Sequence, residues 1–291
     1  MGIQVWGMMG AGVTALVAGL ILVWPRFREA SGVGRALVLG PVFEATALAV
    51  FSAEHFLVAR ALVGIVPPWL PAPLFWTYFV GAAWLAAAIS LVAWRHVRWA
   101  ALLLALLFLI IVATIDLPNV STELHDRLFW TLSLREMAFA GGAMVLGGST
   151  WPHSNSVGSI LMRVGRVIVA LTMVFYGVQH FLFPRFVPGV PLSKLMPAWV
   201  PAPTLIAWFI GITLLLAGIG LLVPRTIRIA AASSGMMLLF LTVFFYVPIF
   251  AMEIHSSLAI EGINYVADTL LFAATALLAG FGADQPRKAA F

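Results

Sequence analysis

Residues 176–211 read YGVQHFLFPRFVPGVPLSKLMPAWVPAPTLIAWFIG, and the chain writes this stretch twice. Residues 51–60, FSAEHFLVAR, lie over 176–185 with His, Phe, Leu and Arg matched. Residues 67–81, PPWLPAPLFWTYFVG, lie over 197–211 and keep the Pro-x-Trp-x-Pro-Ala-Pro core. The second copy carries extra residues around 188–194, a change in loop length that leaves the landmarks in place. Repetition at this scale means that one structural unit occurs twice, and the rest of the chain is read outward from it.

The chain is 63% hydrophobic and 9% charged, with a mean hydropathy of +1.06. A soluble domain is about half apolar and about a quarter charged. This composition is that of an integral membrane protein. Apolar windows approach the roughly 20 residues that a helix needs to cross about 30 Å of hydrocarbon. They fall at 6–24, 36–57, 74–94, 99–115, 129–148, 164–183, 204–223, 227–247 and 264–281. The expected fold is therefore all-α, with nine transmembrane helices. Residues 1–35 form a leading helix and basic loop, and 36–150 and 151–291 form two parallel four-helix bundles.

Net charge is +5, but in a membrane chain Lys and Arg first report topology. Arg26, Arg28, Arg35, Arg95, Arg98, Arg163, Arg166, Arg225, Arg228, Arg287 and Lys288 fall on one side; Arg60, Arg127, Arg135, Arg185 and Lys194 fall on the other. The bias predicts an inner-membrane protein with its amino terminus outside and its carboxyl tail in the cytoplasm, and it gives nucleic acid binding no support. The absence of cysteine excludes disulfides, thiolate metal sites and covalent haem attachment.

Chemistry-bearing residues gather on the predicted external side. His55 and His180 end the first helix of each unit, each followed five residues later by Arg60 or Arg185. DLPNVSTELH at 116–125 lies over YVPIFAMEIH at 246–255, giving Glu123 with His125 and Glu253 with His255. If the first and third helices of a unit are neighbours, each His meets a Glu-x-His. Three chemistries fit such a cluster. In a quinone site, His bonds a carbonyl and Glu takes a proton. A metal site would use two His and a carboxylate, and an anion site would use the Arg. The plain alternative places these residues at the headgroup level, with Arg60 and Arg185 reaching lipid phosphate. Trp69 and Trp199 are read as interfacial anchors or as part of a cofactor platform, and the prolines around them as helix breaks. A bis-His haem is disfavoured because the histidines sit at the membrane edge. Glu44 falls inside a span where its counterpart is Val169; it either pairs locally or marks a proton path in one half. His96 and His153 are read as solvated.

YGVQHFLFPRFVPG, MPAWVPAP, the Gly-containing helix that follows and the turn at Pro224 and Arg225 resemble the DoxX-like group of four-helix membrane proteins. The resemblance covers about 36–150 and 160–282. Family patterns often place a Glu after a Gly in that helix, whereas here Gly211 and Gly218 stand without one. The resemblance implies a role like that of the membrane subunits of thiosulfate:quinone oxidoreductase, or of membrane partners in redox and thiol-stress complexes. The expected function is a membrane oxidoreductase subunit, with the quinone link that the resemblance implies. Two alternatives stay open: a non-catalytic subunit docking a larger respiratory or photosynthetic complex, and a small-molecule or lipid carrier, which wants polar residues near mid-membrane.

Overall fold

The structure is a computed structural model that describes residues 2–283 except His153 and Pro191. The predicted tail carrying Arg287 and Lys288 and the loop residue His153 lie outside the described residues. The helices of the amino-terminal half are α1 (Ile3–Glu29), α2 (Gly34–Leu37), α3 (Gly40–Leu57), α4 (Ala59–Leu62), α5 (Pro73–Val92), α6 (Val97–Ile111), α7 (Leu117–Thr122) and α8 (Arg127–Ser149). The second copy follows as α9 (Ser156–Leu182), α10 (Pro203–Leu222), α11 (Ile227–Leu241), α12 (Val247–Glu253) and α13 (Ala259–Leu278). Among the described residues, seven segments are long and apolar enough to cross a membrane: Ile3–Glu29, Gly34–Leu57, Pro73–Val92, Val97–Thr122, Ser156–Leu182, Pro203–Leu222 and Ile227–Glu253. The chain is membrane-embedded. The two remaining long helices, α8 and α13, carry the charges discussed below.

Local chemistry explains the matching boundaries of the two copies. Pro73 and Pro203 open α5 and α10, where a missing N–H costs nothing. Ala72 and Ala202, each between two prolines, sit in the left-handed region at φ 53° and 46°, outside the right-handed helix that a following proline disfavours. The Pro-Ala-Pro core is a turn device used twice. One turn before the ends of the third helices, π-turns at Val112–Asp116 and Thr242–Tyr246 precede Pro118 and Pro248. Each proline lacks the N–H that the carbonyl four residues back expects, and the helix widens there.

Packing departs from two self-contained bundles. Within the copies α3–α5–α6–α8 and α9–α10–α11–α13 run as chains of neighbours. The chains close on each other: α8 lies along α9, α13 along α3, and α8 meets α13 between them, with α1 outside on α3. The expected pairing of the first and third helices within a unit is thereby corrected. The reason is steric. A Cβ on Gly148 would stand 2.7 Å from the Gly158 carbonyl oxygen, and one on Gly165 would run into that of Gly141, so α8 and α9 touch backbone to backbone. Small residues permit this approach where lipid supplies no hydrophobic drive between helices. Gly165→Val should cost about 1–3 kcal/mol by overpacking. The check is the midpoint of detergent-driven unfolding, and an unchanged midpoint would show a looser seam.

The contacts also fix the correspondence between copies. Gly40 on α3 meets Leu277 and Leu278; its twin Gly165 on α9 meets Met144 and Val145. Counting back along α8 and α13, Gly142 corresponds to Thr275 and Arg135 to Asp268. Gly142 packs on Thr275 and Arg135 bonds Asp268. A position that touches its own counterpart lies on the axis relating two copies.

Candidate functional site

The predicted His, Arg and Glu-x-His sets lie at the loop end of the bundle without converging. His180 is 2% exposed. Its Nδ1 lies 2.6 Å from the Tyr176 carbonyl oxygen, and its Nε2 accepts the Gly189 N–H at 2.9 Å. Those two bonds assign the Nδ1–H tautomer and leave no nitrogen for quinone or metal. The extra residues of the second copy fold inward: Val187–Val190 are buried, Tyr246 donates to the Pro188 carbonyl oxygen at 3.2 Å, and Phe186 pairs with Leu195. The expected change in loop length is thus a packed flap, with His180 as its anchor. His180→Ala should cost about 1–3 kcal/mol by stranding the Gly189 N–H, read as a lower unfolding midpoint. His55→Ala should cost less, because half-buried His55 bonds only the Phe51 carbonyl oxygen and packs edge-on against Trp84.

The other expected site residues are also dispersed. Glu253 is tied to Lys194, Oε1 at 2.8 Å and Oε2 at 3.0 Å, instead of meeting His180. His255 and Arg185 are exposed, Arg185 over the Phe186 ring. Arg60 is exposed. Glu123 and His125 line an open depression of about 390 Å³ in the α7–α8 loop, away from His55 in the contacts present. Trp69 and Trp199 are exposed, Trp199 against Phe245. Among the described residues no three His, Cys, Asp or Glu side chains group as metal ligands.

The polar centre lies instead on the axis. Arg135 Nη1 donates to Asp268 Oδ2 at 2.6 Å and Nη2 to Glu136 Oε1 at 2.9 Å, all three side chains at least 85% buried. Arg135 and Asp268 lie eight and nine residues into α8 and α13, about 12–14 Å from the loop end at 1.5 Å per residue. Asp116 and Tyr176 are close enough to sense the Arg135 and Glu136 charges. The Tyr176 hydroxyl donates to the Thr131 carbonyl oxygen at 2.7 Å. Glu54 reaches across from α3 and accepts from Asn264 Nδ2 at 2.6 Å. Asp116 Oδ2, Asn264 Oδ1 and Gln179 Oε1 are buried without partners. Two carboxyls, Glu136 and Asp268, thus share one guanidinium, with the carboxyls of Asp116 and Glu54 beside them.

An open depression of about 500 Å³ at the loop end reaches this cluster at Asn264 and Asp268, its other lining residues being Leu192, Ser193, Ile260, Glu261 and Tyr265. Lys194 stands at its rim, pinned by Glu253 and, at 3.5 Å, Glu261, with its ammonium 5.0 Å from the Tyr265 ring centre. Arg127 holds the flap beside it by donating to the Leu192 carbonyl oxygen.

Sequence reasoning counted Arg135 among the residues of the external side and assigned Glu136 and Asp268 no role. The available signal was position: Arg135 and Glu136 stand inside the window 129–148 and Asp268 inside 264–281, where a charge is costly and marks function. A family model described as a domain of unknown function (DUF8561) matches residues 44–125. No curated protein and no solved structure matches the chain.

Proposed function

We propose that the protein is a membrane carrier that exchanges protons for a small organic cation at the axial chamber. The observation that carries this reading is the excess of buried carboxyls over cations around Arg135. Carboxyls at that depth hold protons or a cation, because an unpaired charge in low dielectric costs several kcal/mol. Lys194 supports the class of solute: its ammonium lies against two carboxylates and an aromatic ring, the surroundings that hold an amine. A solute ammonium displacing it gains access to Asp268. In this reading α8 and α13 also cross, giving nine helices in an inner membrane, with the chamber facing outward and the basic loops in the cytoplasm.

The test is an outward gradient of choline or tetraethylammonium across proteoliposomes containing a pH-sensitive dye. Solute-driven acidification that requires Asp268 is expected. Identical traces from protein-free vesicles would overturn the proposal. A quinone-linked oxidoreductase subunit, the role the DoxX-like resemblance implies, is a second reading. It is favoured by one observation: the chamber sets apolar Leu192 and Ile260 beside Tyr265 and Asp268. These would hold a quinol head, whose hydroxyl proton Asp268 would accept. Purified protein carrying quinone that is lost with Asp268→Asn would favour it over the carrier.

A further inference from the structure

We infer that a proton path runs along the α3–α13 seam from the axial chamber to Glu44, and that Glu44 is its inner station. Resting on the chamber as a proton-exchanging site, this inference adds where the protons go. Glu44 is 2% exposed and its Oε2 has no partner, so the local pairing that would make it structural is missing. Gly40, Glu44, Ala47, Phe51 and Glu54 recur at alternating four- and three-residue steps, which places them along one side of α3. The two ends of that stripe face α13: Gly40 packs on Leu277 and Leu278, and Glu54 bonds Asn264. α3 and α13 are therefore antiparallel and in register, with Glu44 near Ala274. The other copy supports the register, because Val169 packs against Gly141, the α8 position that corresponds to Ala274.

The comparison with Val169 also separates packing from chemistry. The same site on α9 is filled by an apolar side chain that is 0% exposed, so nothing in the packing requires a carboxyl on α3. Neither α1 nor α5 brings a titratable side chain to this part of α3. The charged residues of α1 are Arg26, Arg28 and Glu29, at its basic end, and α5 carries only Tyr78, near its loop end against Phe56. From α13 come Glu261, Tyr265 and Asp268, all toward the loop end. Glu44 and Glu54 are ten residues apart, about 15 Å along the axis. Between them on the stripe lie only buried Ala47 and Phe51. A proton leaving the Asp268 carboxyl is taken up by the Glu54 carboxylate, which the Asn264 amide holds in place without carrying the proton. It crosses the apolar stretch when water enters and is taken up by the Glu44 carboxylate, which then releases one to the basic end. No electron or further reactant is involved.

Glu44→Val and Glu44→Gln test this in proteoliposomes carrying a pH-sensitive dye under a potassium diffusion potential set by valinomycin. Wild type is expected to conduct protons above protein-free vesicles and both variants at least tenfold less, while Glu44→Val, which copies the twin residue, unfolds at a higher temperature. Infrared difference spectra on titration should lose one protonated-carboxyl band in either variant. Choline binding measured by isothermal titration calorimetry, a readout of the chamber alone, should be unchanged. Variants that conduct like wild type, or a wild type no leakier than lipid, overturn the path. Absence of choline binding in wild type itself would instead strike the chamber reading, leaving the proton measurement to decide the path.

Discussion

Arg135→Met is expected to destabilise the protein by roughly 3–5 kcal/mol, the cost of removing one partner from a buried ion pair. The size follows from what the substitution leaves behind. Asp268 and Glu136 both point at the lost guanidinium, with Glu54 and Asp116 nearby, so carboxylates with no cation remain in a site of low dielectric. Protonation relieves part of the repulsion, and the loss should therefore shrink at acidic pH: neutral carboxyls no longer need Arg135. The midpoint of detergent-driven unfolding at two pH values reads both effects. A more specific expectation comes from the axis. Exchanging the pair, Arg135→Asp with Asp268→Arg, puts each residue in its counterpart's place and should recover about half of the loss, the remainder being the Glu136 bond, which needs a cation on its own helix. A loss below about 1 kcal/mol for Arg135→Met would mean that water reaches the pair freely, as at an exposed salt bridge.

Asp268→Asn is expected to have the largest functional effect with a smaller structural one. Arg135 keeps Glu136 as a partner, and the amide oxygen still accepts a hydrogen bond, so stability should fall by only about 1–3 kcal/mol. An amide cannot carry the proton, however, and a positioned proton-transfer group is worth about 10²–10⁴ in rate. The solute-driven pH signal should fall by at least about 10² while the folded fraction, measured by size exclusion, stays near that of wild type. Retention of the signal would move the exchange to another carboxyl of the cluster, with Glu54 the next to substitute.

The fold was legible in the sequence wherever the signal was local or repeated. Matched Pro-Ala-Pro turns, matched Leu-Pro and Val-Pro breaks in the third helices and the His-Phe-Leu landmarks all fell where the structure places equivalent elements. Pairing between helices was not legible, because it depends on which glycines meet. Gly141, Gly148, Gly158 and Gly165 become a seam only when α8 lies against α9, and no spacing within one helix states that. The site was misread for a related reason. Repetition drew attention to the residues the copies share, among them His55 and His180, and His180 turns out to anchor a flap. The axial residues are those in which the copies differ: Arg135 against Asp268, Glu54 against Gln179, Asp116 against Tyr246. Their chemistry comes from the difference, so a search for matches passed over them.

That difference has a consequence for why the two copies share one polypeptide. A homodimer of either half would set arginine against arginine, or aspartate against aspartate, at a spacing of a few ångströms where little water screens them. Each half is therefore unable to recognise itself and is charged to recognise the other. Carrying both copies in one polypeptide makes the Arg135–Asp268 pairing compulsory and directional.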